Sequence, residues 1–171
     1  MIHIYCGDGK GKTTAAAGLT VRAAGSGMRV LFVQFLKTEF SGERQILSSL
    51  VGVTLTTCPL ELKFTYDMNE QEKQQTAVMF RQLFDSSAAT ALSDRYDMVV
   101  FDEIFDVINE GMLSESEVFE FTANAPKSLE IVMTGHNPPQ RFLDAADYVT
   151  ECKKIKHPFD KGVTARKGIE F

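Results

Sequence analysis

Ile2-His3-Ile4-Tyr5-Cys6-Gly7-Asp8-Gly9-Lys10-Gly11-Lys12-Thr13-Thr14 is the stretch that decides the fold. A short β-favouring run breaks into three alternating glycines, and Lys-Thr-Thr then leads into the helix-forming Ala15-Ala16-Ala17. Strand, glycine loop and helix N-terminus in that order make a phosphate cradle. Glycines let backbone N–H groups converge on an anion, and the helix dipole adds to the attraction. Gly7, Asp8, Gly9, Lys10, Gly11, Lys12, Thr13 and Thr14 are therefore the candidate nucleotide-binding residues. Lys12 supplies a mobile cation, and the Thr13 hydroxyl an oxygen ligand for Mg²⁺. The standard spacing G-x-x-x-x-G-K-[ST] would put the first glycine at Cys6, whereas counting from Gly7 leaves one residue too few. Either Cys6 fills the first position or the loop is one residue tighter.

Working outward, Thr13 to about Ala24 reads as an alanine-rich helix closed by Gly25-Ser26-Gly27. Arg29 to Phe35 is a nearly continuous apolar strand, of the kind that suits a parallel sheet covered on both faces. Glu43 to Leu50 reads as a short helix, and the β-branched run Val53 to Thr57 as a third strand. From Asn69 a long helix is expected to about Ser93. Phe80, Leu83, Phe84, Ala88 and Ala91 recur at helical spacing and mark its buried face. Ser114 to Ala123 looks helical, with Ser114 and Glu117 in capping-box spacing. Leu129 to Thr134 is a fifth strand, Gln140 to Ala146 a helix, and Tyr148 to Cys152 a sixth strand.

Asp97-Met98-Val99-Val100-Phe101-Asp102-Glu103 is the second strong signal. Four apolar residues run into two carboxylates, as expected where a buried parallel strand reaches the edge at which ligands bind. An acidic residue there can hold Mg²⁺ directly or through water, so Thr13, Asp102 and Glu103 form the candidate metal set. The alternation of strands and helices predicts an α/β fold: a P-loop NTPase of RecA-like type. Its sheet is expected to be doubly wound, six-stranded and mostly parallel, with helices on both faces. At 171 residues, with no linker rich in Pro, Gly or Ser, the chain reads as one domain.

Composition narrows the class further. The acidic balance, a net charge of −5, argues against a nucleic-acid partner. No apolar run is long enough for a membrane span. A first strand at residue 2 leaves no room for a signal peptide, so a cytoplasmic protein is expected. Cys6, Cys58 and Cys152 are far apart and odd in number, which fits free thiols in a reducing compartment. The irregular stretch 58–69, with Phe64-Thr65-Tyr66, reads as the main candidate loop outside the cradle, or as aromatics tucked against the core. The basic run Lys153, Lys154, Lys156 and His157 reads as a solvated surface or an anion contact.

These residues hold a Mg-nucleoside triphosphate but do not name a reaction. A kinase needs a carboxylate beside its acceptor, and an ATPase needs a residue to position water. Asp8, Glu103 and His136 are open to either role, and spacing selects none of them.

Gly7 to Thr14, with its shortened gap, resembles the P-loop of the CobA/BtuR-type ATP:corrinoid adenosyltransferases. The resemblance continues through Arg22, Val33-Gln34-Phe35-Leu36-Lys37, Gly42-Glu43-Arg44, Phe64-Thr65-Tyr66, Val100-Phe101-Asp102-Glu103 and Thr134-Gly135. It closes with Lys156 to Val163 and Gly168-Ile169-Glu170-Phe171. It implies transfer of the 5′-deoxyadenosyl group of ATP to the cobalt of a corrinoid, with release of triphosphate. Cob(I) is itself a strong nucleophile, so the implied reaction needs no general base. The protein's task is to align C5′ with cobalt and stabilise the departing charge.

By the same resemblance, Lys10, Lys12 and Mg²⁺ near Thr13 and Glu103 serve the leaving group, and Arg22 helps hold the nucleotide. Phe64 and Tyr66 match the positions credited with removing the corrinoid's lower axial ligand, which eases reduction of Co(II). A reduced flavin or flavodoxin-type donor and a homodimer are also implied. The chain departs from the family at Tyr66, where relatives often carry Trp, and at His136, where an arginine is common. Some relatives have an N-terminal extension over the site. Counted from Met1, this chain is expected to cover its corrinoid with another segment or leave it more exposed. The alternative is a relative without transfer activity: a P-loop ATPase, or a corrinoid-binding regulatory module.

Overall fold

The computed structural model describes residues 1–36, 41–58 and 67–170, apart from the side chain of Asp94. In chain order the elements are β1 (Ile2–Cys6), α1 (Lys12–Gly25), β2 (Val30–Gln34), α2 (Gly42–Ser49), β3 (Val53–Thr57) and α3 (Glu70–Thr90). They continue with β4 (Met98–Asp102), α4 (Ile104–Asn109), α5 (Glu115–Asn124), β5 (Glu130–Thr134), α6 (Gln140–Ala145) and β6 (Tyr148–Glu151). The strands form a six-stranded sheet in the order β3-β2-β4-β5-β1-β6, and each neighbouring pair is parallel. The expectation of a mostly parallel sheet is thus met and sharpened: no antiparallel pair occurs among the described residues.

Side-chain alternation along the strands explains the layers. Val30 and Phe32 of β2, Met98 and Val100 of β4 and Val132 of β5 pack on one side with Ala16 and Ala23 of α1 and Leu47 of α2. The intervening Leu31, Val33, Val99, Phe101, Ile131 and Met133 face the other way. There they meet Phe80, Leu83 and Phe84 of α3, Phe105 of α4, Val118 of α5 and Phe142 of α6. Every residue of β2 and β4 is buried, as the unbroken apolar runs require of strands covered on both faces. Phe101 is the hub of the second layer, with ring centroids 5.5 Å from Phe84 and 5.6 Å from Phe121. Truncating so enclosed a ring to alanine costs about 3–5 kcal/mol.

The long helix α3 begins with a reciprocal cap. The Asn69 side chain accepts from the Glu72 N–H, and the Glu72 carboxylate accepts from the Asn69 N–H. Its expected stripe is buried from Phe80 to Ala91. The helix ends in a wider π turn over Ala91–Arg95, which carries the chain into β4. The sequence reading leaves two features open. The short helix α4 follows β4 at once, through Glu103 in a left-handed conformation (φ 64°), with no side-chain cap to announce it. And β6 is an exposed edge strand, held by β1 alone, with Tyr148 stacked on His3 at 4.7 Å. The Phe64-Thr65-Tyr66 segment lies outside the described residues.

Candidate active site

The strand β1 pairs with β6 through Cys6, so the glycine loop starts at Gly7 and α1 begins at Lys12. Cys6 therefore belongs to the strand, and the loop is the tighter of the two possibilities. Cys6 is buried, and that burial pushes its thiol pKa up. The loop is clamped by the chain that follows β6. The Gly9 N–H donates to the Cys152 carbonyl at 2.6 Å, and a Cβ on Gly9 would lie 2.6 Å from that same oxygen. No side chain fits there. Asp8 accepts the Lys154 backbone N–H at 2.9 Å, which holds its carboxyl below the usual range. Lys10 reaches Glu170 at 3.5 Å. Glu170 is gripped by Arg166, whose guanidinium draws the carboxyl pKa down to about 2.

The Lys12 ammonium folds back over the loop, donating to the Gly7 carbonyl at 2.8 Å and the Gly9 carbonyl at 3.0 Å. It also lies 3.3 Å from His136 Nε2. Next to it, Thr13 donates to Asp102 Oδ1 at 3.0 Å. That bond spans a gap in the sheet, because β5 stands between β4 and β1. The last residue of β5 fills the gap. The Thr134 hydroxyl donates to Asp102 Oδ1 at 2.7 Å and accepts the Glu103 N–H at 2.8 Å. Gln34 Nε2 adds a long bond to Asp102 Oδ2 at 3.4 Å and another to Glu43 at 3.3 Å. Asp102, Thr134 and Gln34 are all fully buried. The Thr13, Thr134 and Gln34 donors therefore aim the carboxylate at the cradle.

Beside this cluster opens a cavity of about 480 Å³, lined by Thr13, Thr14 and Ala17 of α1, Gly42 and Glu43 of α2, and Gly168, Ile169 and Glu170 of the tail. A cavity of that size, with a helix N-terminus and loop amides at its rim, suits a nucleotide. The chain matches the family model of the ATP:corrinoid adenosyltransferases BtuR/CobO/CobP over residues 1–171. It belongs to that family. Corrinoid adenosyltransferases of Escherichia coli K12 and Salmonella typhimurium LT2 are 33% and 34% identical to it over 172 residues, covering 100% of this chain and 85% of theirs. A corrinoid adenosyltransferase of a Sinorhizobium species is 31% identical over 173 residues, covering 100% of this chain and 80% of its own.

The candidate residues of this adenosyltransferase family member are not all gathered in one place. Gly7 to Thr14 and Asp102 come together at the C-terminal edge of the sheet. Glu103 joins them through its backbone N–H. Arg22 does not. It stands ten residues along α1 from Lys12, about 15 Å at 1.5 Å per residue. There it lines a separate cavity with Met1, Met98, Glu130 and Tyr148, at the opposite ends of the strands. Phe64 and Tyr66 lie outside the described residues. The sequence reading passed over Thr134, Gln34, Glu43 and Glu170 as site residues. Thr134 and Gln34 each end a buried strand at the ligand-binding edge, which is the signal that could have found them.

Proposed function

We propose that residues 1–171 act as a single adenosyltransferase domain that transfers the 5′-deoxyadenosyl group of ATP to Co(I) of a corrinoid and releases triphosphate. Family membership supports the reaction, and the Lys12–Thr13–Asp102–Thr134 cluster beside a nucleotide-sized cavity carries the assignment of its site. The cobalt electron pair forms the Co–C5′ bond, while the C5′–O bond breaks and its pair leaves with triphosphate. No protein base is required. The protein's work is to hold C5′ in line and stabilise the leaving charge, with the loop amides, Lys10 and Lys12 as donors.

Mg²⁺ fits the donors present: a threonine hydroxyl and a carboxylate are hard oxygen ligands, already 3.0 Å apart. Thr13 and Asp102 would hold it, with Glu103 beside them, and it would offset charge on the triphosphate. Gln34 Oε1 is buried next to this set, with no donor among the described residues. It is suited to accept a hydrogen bond from a group held beside Asp102. We assign Phe64 and Tyr66 to the lower face of the corrinoid by family resemblance, where an apolar wall favours the four-coordinate cobalt. A reduced flavin or flavodoxin-type donor, a homodimer and a cytoplasmic setting complete the reading. No helix among the described residues is long and apolar enough to cross a membrane.

The test is an anaerobic reaction of the protein with Mg-ATP and chemically prereduced cob(I)alamin. The expected result is a light-sensitive cobalt–carbon product with one triphosphate released per adenosyl transferred. Absence of product with cobalamin and with incomplete corrinoids alike, in protein shown to bind ATP, would overturn the proposal.

A further inference from the structure

His136 is built into the mouth of the cradle more firmly than a loop histidine needs to be. Its Nδ1 lies 2.7 Å from Asp106 Oδ1, and its backbone N–H lies 3.3 Å from both oxygens of that carboxylate. Its carbonyl accepts from the Asn109 amide at 2.8 Å. Asp106 and Asn109 both come from α4, which Gly135 allows to approach. A Cβ at Gly135 (φ 145°) would lie 2.7 Å from Phe105 Cβ and 2.8 Å from Asp106 Oδ2. The ring is thus fixed on one side, with Nδ1–H donated to a carboxylate and Nε2 pointing outward. Half of the His136 side chain is exposed, and the atom facing Nε2 is the Lys12 ammonium at 3.3 Å.

Two nitrogens at that separation can both lie about 2.8 Å from a single oxygen between them, the distance of a charge-assisted hydrogen bond. We propose that His136, oriented by Asp106, is a further contact to the departing triphosphate, sharing a phosphate oxygen with Lys12. This rests on the adenosyl-transfer reading given above. In the structure, Nε2 accepts from Lys12. With triphosphate in place, Nε2 takes up one proton from solvent and donates it in a hydrogen bond to the anion, while Nδ1–H stays on Asp106. Once taken up on binding, that proton stays on the ring during transfer, so the transfer itself is unaltered: the C5′–O pair leaves on triphosphate and meets one more cation. His136 is the catalytic contact, and Asp106 is a positioning residue that fixes the ring.

Binding of inorganic triphosphate with Mg²⁺, measured by calorimetry, tests this separately from transfer. His136→Ala and His136→Gln are expected to weaken triphosphate binding about ten- to a hundredfold. Both should bind adenosine, which has no phosphate, within about twofold of wild type. Asp106→Asn should give a smaller loss, and His136→Arg should recover most of the affinity, since arginine presents a fixed donor to phosphate. In turnover the loss should fall on kcat more than on KM for ATP. Triphosphate affinity within about twofold of wild type in both neutral variants would overturn the proposal. So would an equal loss of adenosine affinity in both, which would make His136 a structural residue. Failure of wild-type protein to adenosylate cob(I) would instead strike the adenosyl-transfer reading, while the triphosphate comparison would still report on His136.

Discussion

Thr134→Val is the sharpest probe of the site's architecture. Valine matches threonine in shape, so the packing of β5 is kept while one hydroxyl is lost. That hydroxyl serves two partners, donating a hydrogen bond to the buried Asp102 carboxylate at 2.7 Å and accepting one from the partly buried Glu103 N–H at 2.8 Å. Asp102 and Thr134 are both 0% exposed, so water cannot replace the bond to the carboxylate. A hydrogen bond to a charged group contributes about 1.5–3 kcal/mol, and an ordinary one, such as that from the partly buried Glu103 N–H, about 0.5–1.5 kcal/mol. The expected loss is about 2–4 kcal/mol, or roughly 4–16 °C in Tm for a chain of this size. Thr134→Ser keeps the hydroxyl and removes only a methyl, for about 1 kcal/mol. Urea unfolding followed by circular dichroism separates the two variants, and the difference between them isolates the hydroxyl. A valine variant within about 1 kcal/mol of the serine variant would refute the claim that Thr134 bridges the sheet gap and aims Asp102.

Lys12→Ala should lower transfer about a hundredfold or more, because the ammonium poised over Gly7 and Gly9 has no substitute at that point; near-normal kcat would remove Lys12 from the mechanism. Arg22→Ala should leave KM for ATP within about twofold, given its place some 15 Å from Lys12, and a tenfold rise would restore it to the nucleotide site. Phe64→Ala should slow turnover from Co(II) more than from prereduced Co(I), and equal losses on both substrates would count against an axial-ligand role. Glu170 has a folded pKa lowered to about 2, against about 4.3 for an ordinary glutamate, so its grip on the tail is complete above the ordinary value. That grip is lost as the pH falls through about 2. Carboxyl-carbon NMR should place its midpoint near 2 in wild type and near 4 in Arg166→Ala, and a wild-type midpoint near 4 would deny the ion pair.

The parallel sheet and the cradle were legible in the sequence because each rests on a local pattern. The glycines between Cys6 and Lys12 and the apolar run into Asp102 need no knowledge of the rest of the chain. The helix α4 was not legible. It spans Ile104–Asn109, too short for a periodic stripe, and it starts from a left-handed glutamate that no composition rule favours. Thr134 and Gln34 enter the sequence reading only within their strands and the resemblance, without a site role, because that role depends on which strands lie side by side, and sheet order is not a local property. Arg22 illustrates the converse. It belongs to the helix that leaves the P-loop, and only the rise of that helix shows how far it is carried away.

The cradle is also among the most non-local parts of the fold. Asp8 is held by Lys154, 146 residues later, and Gly9 by the carbonyl of Cys152. Contacts of such long sequence separation form late, because closing the intervening chain costs entropy before any contact repays it. The loop that grips phosphate is therefore shaped only after β6 has docked on β1. A partly folded chain holds no finished anion site, and nucleotide added during refolding should bind in the last phase rather than guide the first.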